Sequence, residues 1–276
     1  MKLIKSDLFY NVEELTKKAH STLMEYKELI KIKVLASPIK KEILNNELND
    51  GRTLKFKFHN GSPVLFPKII TDHLSDKELP LEYYSNSHLQ YFLISQIKGK
   101  SEINAPSNSL AANKHFYRMK EFCKKLAPGT LLDIGCDKPS LSSLFYPSGI
   151  NYIGLDPSFQ NDEFKVLGMA EFLPFADKAF DFVSFNTSLD HILDYHTALN
   201  EAFRVLKKGG SLILSSYAWK DNATLLTDNV HFHHFREFEL LGALEHLFSI
   251  ENVKRYKDPK NADHRYGIYI LAKKKG

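Results

Sequence analysis

Cysteine is scarce in this sequence, and long apolar runs are absent. Only two of the 276 residues are cysteines, so no disulfide framework is expected and a reducing compartment is the default. No stretch approaches the roughly twenty consecutive apolar residues that a membrane-spanning helix needs. Residues 1–7 lack the apolar core of a signal peptide. We therefore expect a cytoplasmic protein with no membrane contact.

Strong charge of either sign is also lacking. The chain has 37 lysine and arginine residues against 33 aspartate and glutamate residues, a formal net charge of +4. The lysines are dispersed, and the run at 273–275 is typical of a solvated tail, so no nucleic-acid partner is expected. Hydrophobic residues make up 43% of the chain and charged residues 25%, as in ordinary globular proteins. The length suffices for one large α/β domain and a smaller unit.

The first part of the chain predicts a small α+β segment. Apolar residues recur at helical spacing over residues 7–35. Short strand-like pieces follow around Asp50-Gly51 and Asn60-Gly61, two dipeptides that favour hairpin turns because they tolerate positive φ. The polar stretch that comes next indicates a connector. The predicted units are an N-terminal segment at 1–72, a connector at 73–110 and a domain at 111–276.

From about residue 111 onward, helical and strand patterns alternate. Residues 207–210, Lys-Lys-Gly-Gly, indicate a basic helix end followed by a glycine stop. Strands that alternate with helices favour a parallel α/β sheet. The predicted helices are at 112–126, 139–145, 194–206 and 235–248, and the predicted strands at 130–134, 151–155, 165–167, 180–185, 211–215 and 266–272.

Two of these strands end on a carboxylate, Asp133 in the first and Asp156 in the second. Ligands of open α/β sheets lie beyond the carboxyl ends of the strands. Asp156 could accept both hydroxyls of a ribose, and Gly135 would let a ligand approach the backbone closely. Asp133 could anchor the turn or face a cationic group. The alternative is that both acids only cap the following helices.

Five sequence pieces occur in a fixed order at 133–136, 152–156, 168–183, 189–191 and 202–210. In this order they resemble the class I S-adenosylmethionine-dependent methyltransferases of the small-molecule type. The resemblance covers about 160 residues and implies a Rossmann-like, doubly wound sheet with an antiparallel final strand, here Tyr266 to Ala272. It also implies S-adenosylmethionine as cofactor. A nicotinamide-dependent oxidoreductase would need a Gly-x-Gly-x-x-Gly sequence that residues 135–140 do not provide.

The resemblance assigns cofactor contacts residue by residue. The methionine end would be held by Asp133, Gly135 and Cys136, the ribose by Asp156, the adenine side by Met169, Ala170 and Glu171, and the sulfonium by the loop with Asn186 and Thr187. One departure concerns the second and third glycines of the family, since Asp137-Lys138-Pro139-Ser140 stands there instead. Asp137 could face the α-amino group of the cofactor. The departure also leaves open a methyltransferase-like pseudoenzyme that scaffolds or activates a partner protein.

Histidines supply the candidate acceptor-side residues. His191 is the predicted catalytic base, and Asp190 would orient it or bind the acceptor; the alternative is a helix cap with a packed imidazole. Further on, His231, His233 and His234 lie within four residues. No cysteine lies nearby, so no metal is predicted. These three histidines are expected to line the pocket of a small-molecule or sugar-like acceptor, or to be structural.

The N-terminal segment shows a second, weaker resemblance to a small zinc-ribbon module found before some bacterial methyltransferase domains. The module carries a Cys-Pro-x-Cys turn, whereas this chain has Ser37 and Lys40 at the cysteine positions. A tetrahedral zinc ion needs four ligands that are missing here. The resemblance therefore implies a metal-free remnant that serves packing or the docking of a partner protein.

Overall fold

The computed structural model describes residues 21–45, 57–66, 110–158, 164–223, 231–258 and 262–276. The predictions for residues 7–20, for the Asp50-Gly51 turn and for residues 73–109 lie outside these ranges. The predicted division of the chain into segment, connector and domain therefore stays a prediction. None of the helices in the described ranges is long and apolar enough to cross a membrane.

One mixed sheet forms the centre of the described structure. Its spatial order is β2-β3-β6-β5-β4-β7-β8-β10-β9, and β1 pairs with β5 outside this path. The strands are β1 (Thr22–Leu23), β2 (Lys57–His59), β3 (Ser62–Val64), β4 (Gly129–Ile134), β5 (Ile150–Asp156), β6 (Val166–Leu167), β7 (Phe180–Asn186), β8 (Leu206–Trp219), β9 (Phe248–Lys257) and β10 (Arg265–Lys274).

Helices connect most of these strands. In α4, the residues Ala198, Leu199, Ala202 and Val205 are buried on one face, and the side chain of Asp194 caps the helix by accepting a hydrogen bond from the backbone N–H of Thr197. The helices are α1 (Tyr26–Lys31), α2 (Leu110–Cys123), α3 (Pro139–Ser142), α4 (Tyr195–Val205) and α5 (Glu237–Glu245), with short 3-10 turns at Ser143–Phe145, Ala170–Phe172 and Leu189–His191.

The sheet topology confirms the predicted Rossmann-like fold. Strands β4, β5, β6, β7 and β8 are parallel, and β10 is antiparallel to both β8 and β9. The chain runs from β4 towards β6 on one side and resumes at β7 on the other side of β4. The order therefore reverses between β4 and β7, which is where open α/β sheets bind their ligands.

Three details differ from the sequence prediction. The helical pattern expected over residues 7–35 is not one helix in its described part, because Thr22–Leu23 forms β1 and α1 spans only Tyr26–Lys31. Helix α4 ends at Val205, and residues 207–210 lie in β8 instead of ending a helix. The ion pair between Lys207 and Asp181, 2.8 Å long, holds this stretch against β7. Strand β9 was not predicted, because most of its polar side chains face solvent at the sheet edge and the apolar alternation is weak.

The N-terminal residues extend this sheet and share its core. Leu29, Val34 and Leu65 belong to the main cluster of buried apolar side chains. Strand β3 pairs with β6, and β2 and β3 form the predicted hairpin, with Asn60 at φ +47° and Gly61 at φ +80°. The small segment therefore packs directly on the strands that follow residue 110.

The turn that resembles a zinc-ribbon knuckle carries no metal-binding cluster among its described residues. Ser37 is buried, and its hydroxyl accepts a hydrogen bond from the backbone N–H of Glu42. Lys40 is exposed. The neighbouring Lys41 ammonium donates to Glu201 of α4 at 2.6 Å. The Lys41 ion pair therefore ties the turn to α4; the ribbon resemblance itself stays a prediction.

We expect Leu35→Ala to lower the free energy of unfolding by about 2–4 kcal/mol, because Leu35 is fully buried and its loss leaves a cavity. Ile39 lies in the same turn but is 54% exposed, so Ile39→Ala should change stability by less than about 0.5 kcal/mol. Urea unfolding of both variants measures the difference. Equal effects would contradict the shared core.

Candidate active site

Three loops meet at the carboxyl edge of the sheet. They follow β4, β5 and β7, and these strands are neighbours in the order β5-β4-β7. Their ends are level, because Ile134 pairs with Leu155 on one side and with Phe185 on the other. The predicted cofactor residues of the first two loops and the predicted catalytic residues of the third are thus placed at one edge.

Asp156 joins the first two loops. One carboxylate oxygen accepts a hydrogen bond from the backbone N–H of Asp137 at 2.9 Å, and the other accepts from Ser158 at 2.8 Å. The side chain is 7% exposed, and burial raises the pKa of Asp156, while the Lys165 ammonium opposes this rise. Each carboxylate oxygen can accept a second hydrogen bond. Asp156 can therefore hold the loops and still bind a ligand.

The loop after β4 adopts positive backbone φ angles although the second and third glycines of the family are missing. Gly135 has φ +79°, and Asp137 has φ +47° in the left-handed region that aspartate tolerates better than most residues. Pro139 is the first residue of α3, where its fixed φ suits the helix start and its missing N–H is not needed. The altered sequence is thus compatible with the turn.

Gly135 is required by a close contact within the protein. A Cβ at this position would lie 2.4 Å from the Cβ of Ser188, in the loop after β7. The Ser188 hydroxyl donates to the carbonyl oxygen of Ile134. Cys136 is buried, and its sulfur occupies the space where a Cβ of residue 154 would lie. Gly135 was expected to let a ligand approach the backbone, but the close contact that the structure shows is between the loops after β4 and β7. Gly154 leaves space for the side chain of Cys136.

Asp133 lies inside the sheet layer, one residue before the end of β4. Its carboxylate accepts a hydrogen bond from the Tyr152 hydroxyl at 2.8 Å, and the Tyr146 hydroxyl lies 3.3 Å from its other oxygen. Burial raises the pKa of Asp133 to about 7, although the hydrogen bond from Tyr152 opposes the rise. The geometry favours the anchoring role over contact with a cationic ligand.

The predicted adenine-side residues surround the turn after β6. Met169 and Ala170 are buried, and the Glu171 carboxylate accepts a hydrogen bond from the backbone N–H of Asp194 at 3.4 Å. Burial raises the pKa of Glu171. Sequence analysis missed Lys165, which is fully buried and donates to the carbonyl oxygen of Asp137 at 3.0 Å.

The end of β7 carries backbone strain. Thr187 has φ +55°, which is rare for a β-branched residue, and its N–H donates to the carbonyl oxygen of Ser215 at 2.9 Å. Such strain persists where the surrounding structure enforces it, often at functional sites. Thr187 is one of the predicted cofactor residues, and its conformation directs the chain into the Asp190 turn.

A polar network missed by sequence analysis fixes the neighbouring Asn186. Its amide oxygen accepts hydrogen bonds from the Ser215 hydroxyl and from His115 Nε2, both at 2.7 Å. Because Nε2 donates, the other ring nitrogen of His115 accepts from the Tyr269 hydroxyl at 2.6 Å. Burial lowers the pKa of His115, which favours this neutral form. The residues come from α2, β8 and β10, so only the fold brings them together.

The structure brings Asp190, His191 and His231 together. The rings of His191 and His231 are 4.4 Å apart between centroids, and His231 Nε2 lies 3.8 Å from Asp190 Oδ2. His233 is turned away, because its Nε2 donates to the carbonyl oxygens of residues 192 and 193. His234 packs edge-on against Trp219 at 5.3 Å. The three predicted acceptor-side histidines thus have different surroundings.

A family model described as a methyltransferase domain matches residues 111–256, just over half of the chain. The chain belongs to the class I S-adenosylmethionine-dependent methyltransferase family. The predicted family and its cofactor, S-adenosylmethionine, are confirmed. The matched range contains all the predicted site residues.

Curated relatives match in short stretches. A demethylmenaquinone methyltransferase of Mycolicibacterium paratuberculosis is 40% identical over 63 residues, covering 23% of this chain and 27% of that protein. A ubiquinone/menaquinone biosynthesis C-methyltransferase UbiE of Rickettsia bellii is 36% identical over 86 residues, 31% of this chain and 34% of that protein. The chain therefore spans between about a quarter and a third of the length of these relatives.

Solved structures show the same fold at low identity. The 1,6-didemethyltoxoflavin-N1-methyltransferase of Burkholderia thailandensis, with bound 1,6-didemethyltoxoflavin and S-adenosylhomocysteine, has a TM-score of 0.52 at 20% identity, covering 71% of this chain and 91% of that one. The [4+2]-cyclase SpnF has a TM-score of 0.51 at 18% identity, covering 68% of this chain and 94% of that one. Because a cyclase shares the fold, the fold alone does not decide the reaction.

Gly135→Ala should destabilise the protein more than Gly61→Ala. Both glycines have φ near +80°, so alanine costs about 1–2 kcal/mol of backbone strain at either position. Nothing lies within 4 Å of a Cβ at position 61, whereas at 135 it collides with Ser188, which adds about 1–3 kcal/mol. Urea unfolding measures both losses. Equal losses would show that the two loops are not closely packed.

We expect Asp133→Asn to change the pH dependence of stability. A folded-state pKa near 7 lies above the ordinary value of 3.8, so the folded protein binds the extra proton between these values. Relative to the asparagine variant, the wild-type free energy of unfolding should therefore fall as pH rises from 5 to 7, by at most about 1.4 kcal/mol per pH unit. Urea unfolding across this range is the measurement, and a constant difference would contradict the neutral buried acid.

Proposed function

We propose that this protein transfers a methyl group from S-adenosylmethionine to a small-molecule acceptor at the carboxyl edge of β4, β5 and β7. The observation that carries the proposal is the placement of Asp156, at the end of β5, on the same edge of the sheet as the loop that leads from β7 to Asp190 and His191. A ribose-binding acid and a polar acceptor-side cluster therefore share one edge of the sheet at its switch point.

The residues present fit the cofactor. Asp156 retains acceptor capacity for the two ribose hydroxyls, as each oxygen has accepted one hydrogen bond from the protein. We assign Gly135, Cys136 and Asp137 to the methionine side, where the Asp137 carboxylate suits a cationic amino group; Asp133 supports this loop from inside the sheet. Because Asp137 keeps the left-handed turn, no observation favours the pseudoenzyme alternative. The remaining assignments are Met169, Ala170 and Glu171 for the adenine side and Asn186 and Thr187 for the sulfonium side.

Positioning is the main task of the protein in this reaction. S-adenosylmethionine, when bound, supplies a methyl group that its sulfonium already activates. The strained Thr187 and the network around Asn186 hold the loop after β7 in one conformation, so the acceptor can be aligned against the methyl group. Asp190 and His191 follow directly on this loop, and we assign them to contact with the acceptor and to assistance in the loss of its proton.

The acceptor is best described as a planar ring compound that carries an oxygen atom. The rings of His191 and His231, 4.4 Å apart between centroids and tilted by 33°, offer aromatic surface against which such a ring can pack. The relatives described above, demethylmenaquinone and ubiquinone/menaquinone methyltransferases, support a ring acceptor of this class. We therefore favour a quinol-like or phenolic acceptor over a sugar.

Asp156→Ala should weaken the binding of S-adenosylhomocysteine and raise the KM for S-adenosylmethionine by about 10- to 150-fold, the equivalent of roughly 1.5–3 kcal/mol of lost hydrogen bonds. Asp181→Ala is the matched control, because that carboxylate also accepts a backbone N–H, at Thr130, but lies at the opposite end of β7. Its variant should lose stability while binding the cofactor normally.

Calorimetry with S-adenosylhomocysteine measures the affinities. Label transfer from S-adenosylmethionine to a panel of quinols, phenols and sugars, together with a small-metabolite extract, measures the reaction. Wild-type affinity in Asp156→Ala would remove this residue from the site. Wild-type protein that binds the cofactor but labels neither the panel nor the extract would contradict methyl transfer.

A further inference from the structure

We propose that Asp190, His191 and His231 form a binding site for a divalent transition-metal ion, with Zn²⁺ as the reference ion. One potential ligand atom from each of the three side chains lies within 4.8 Å of the others. His231 Nε2 and Asp190 Oδ2 are 3.8 Å apart. Two ligands of one tetrahedral ion are about 3.4 Å apart when each bond is about 2.1 Å long. Small side-chain rotations therefore bring the set to metal-binding distances.

The chemistry of the set suits such an ion. Imidazole nitrogens bind zinc, iron, copper and nickel well, and two histidines with one carboxylate are a common set for divalent transition metals. Catalytic zinc sites have three protein ligands and keep a position open for water or substrate. The three side chains here come from the turn after β7 and from the segment before α5, and two of them are the residues assigned above to the acceptor.

Asp190 supplies an independent observation. Its side chain is more than nine-tenths buried, at 8% exposure, yet Oδ1 has no hydrogen-bond partner in the part of the chain that the structure describes. A buried carboxylate oxygen without a partner is costly, unless a cation or a donor compensates it. A metal ion between Asp190 and the two histidines provides this compensation.

The backbone around the site is already fixed. The carbonyl oxygen of Asp190 accepts hydrogen bonds from the backbone N–H groups of Phe232 at 2.9 Å and His233 at 3.2 Å. In return, the His233 ring donates to the carbonyl oxygens of residues 192 and 193. The two segments that carry the ligands therefore hold each other in place, which is the supporting role that outer residues have around metal sites.

A hydrogen-bonded acid–histidine pair explains the cluster less well. Such a pair needs heavy atoms about 2.6–3.2 Å apart, whereas Asp190 Oδ2 and His231 Nε2 are separated by 3.8 Å. With a metal bound, His191 is a ligand. The ion then binds the oxygen atom of the acceptor and favours its deprotonated form, while the proton passes to water. The metal site itself does not depend on the proposed function; only the binding of the acceptor at the open coordination position rests on it.

The test measures metal binding without turnover. Full-length protein is freed of metal with a chelator, dialysed and titrated with Zn²⁺ alone and with Mn²⁺ alone in a calorimeter. We expect one ion per chain for Zn²⁺, with a dissociation constant below about 10 μM. His231→Ala and Asp190→Asn should each weaken binding by at least about tenfold, because each removes one ligand. His246→Ala, at an exposed histidine outside the cluster, should bind like the wild type.

Binding of S-adenosylhomocysteine by every variant shows that the fold is intact. No saturable binding of either ion by wild-type protein would overturn the site, and so would equal binding by wild type and His231→Ala. Label transfer separates the two proposals. If chelator-treated protein still transfers the label and the protein binds neither ion, the methyltransferase reaction stands and the metal site is ruled out. Metal binding without any transfer does the reverse.

Discussion

The two hydrogen bonds that the Asp156 carboxylate accepts define the site edge. They fix the loop after β4 and the loop after β5 to the end of one strand. The buried Lys165 also supports the loop after β4, by donating a hydrogen bond to the carbonyl oxygen of Asp137. Its positive charge opposes the rise in the pKa of Asp156 that burial causes. A charged carboxylate can therefore remain in this buried position only because backbone donors and one cation surround it.

Sequence reasoning could predict what local pattern determines. The strand ends at Asp133 and Asp156, the apolar face of α4 and the Asn60-Gly61 hairpin all follow from spacing and turn chemistry, and the structure contains each of them. It could not predict contacts set by strand register. The partners of Asp133, two tyrosine hydroxyls, and the hydrogen bond between His115 and Asn186 join residues far apart in the chain. Edge strand β9 was not predicted because only Phe248 among its residues is buried, which leaves little apolar alternation.

The glycine-poor loop after β4 shows why a motif is best read through the backbone angles it requires. A glycine is needed where φ is positive or where a Cβ would collide. Gly135 meets both conditions, since its φ is +79° and Ser188 is packed against it. At position 137 only the positive φ remains, and an aspartate can adopt it. At position 139 neither condition holds, so proline, the first residue of α3, is compatible with the loop.

The same packing connects the cofactor side of the site with the acceptor side. Ser188 contacts Gly135 with its side chain and donates to the carbonyl oxygen of Ile134, so the loop after β7 cannot move independently of the loop after β4. Asp190 lies two residues further along, and its carbonyl oxygen holds the segment of His231. The strained Thr187 lies directly before these two attachments, and its own N–H is bound to the carbonyl oxygen of Ser215. In-line transfer depends on the relative position of donor and acceptor. The segment from Thr187 to Asp190 contacts both sides of the site, so holding it in one conformation is a physical reason for keeping that strain.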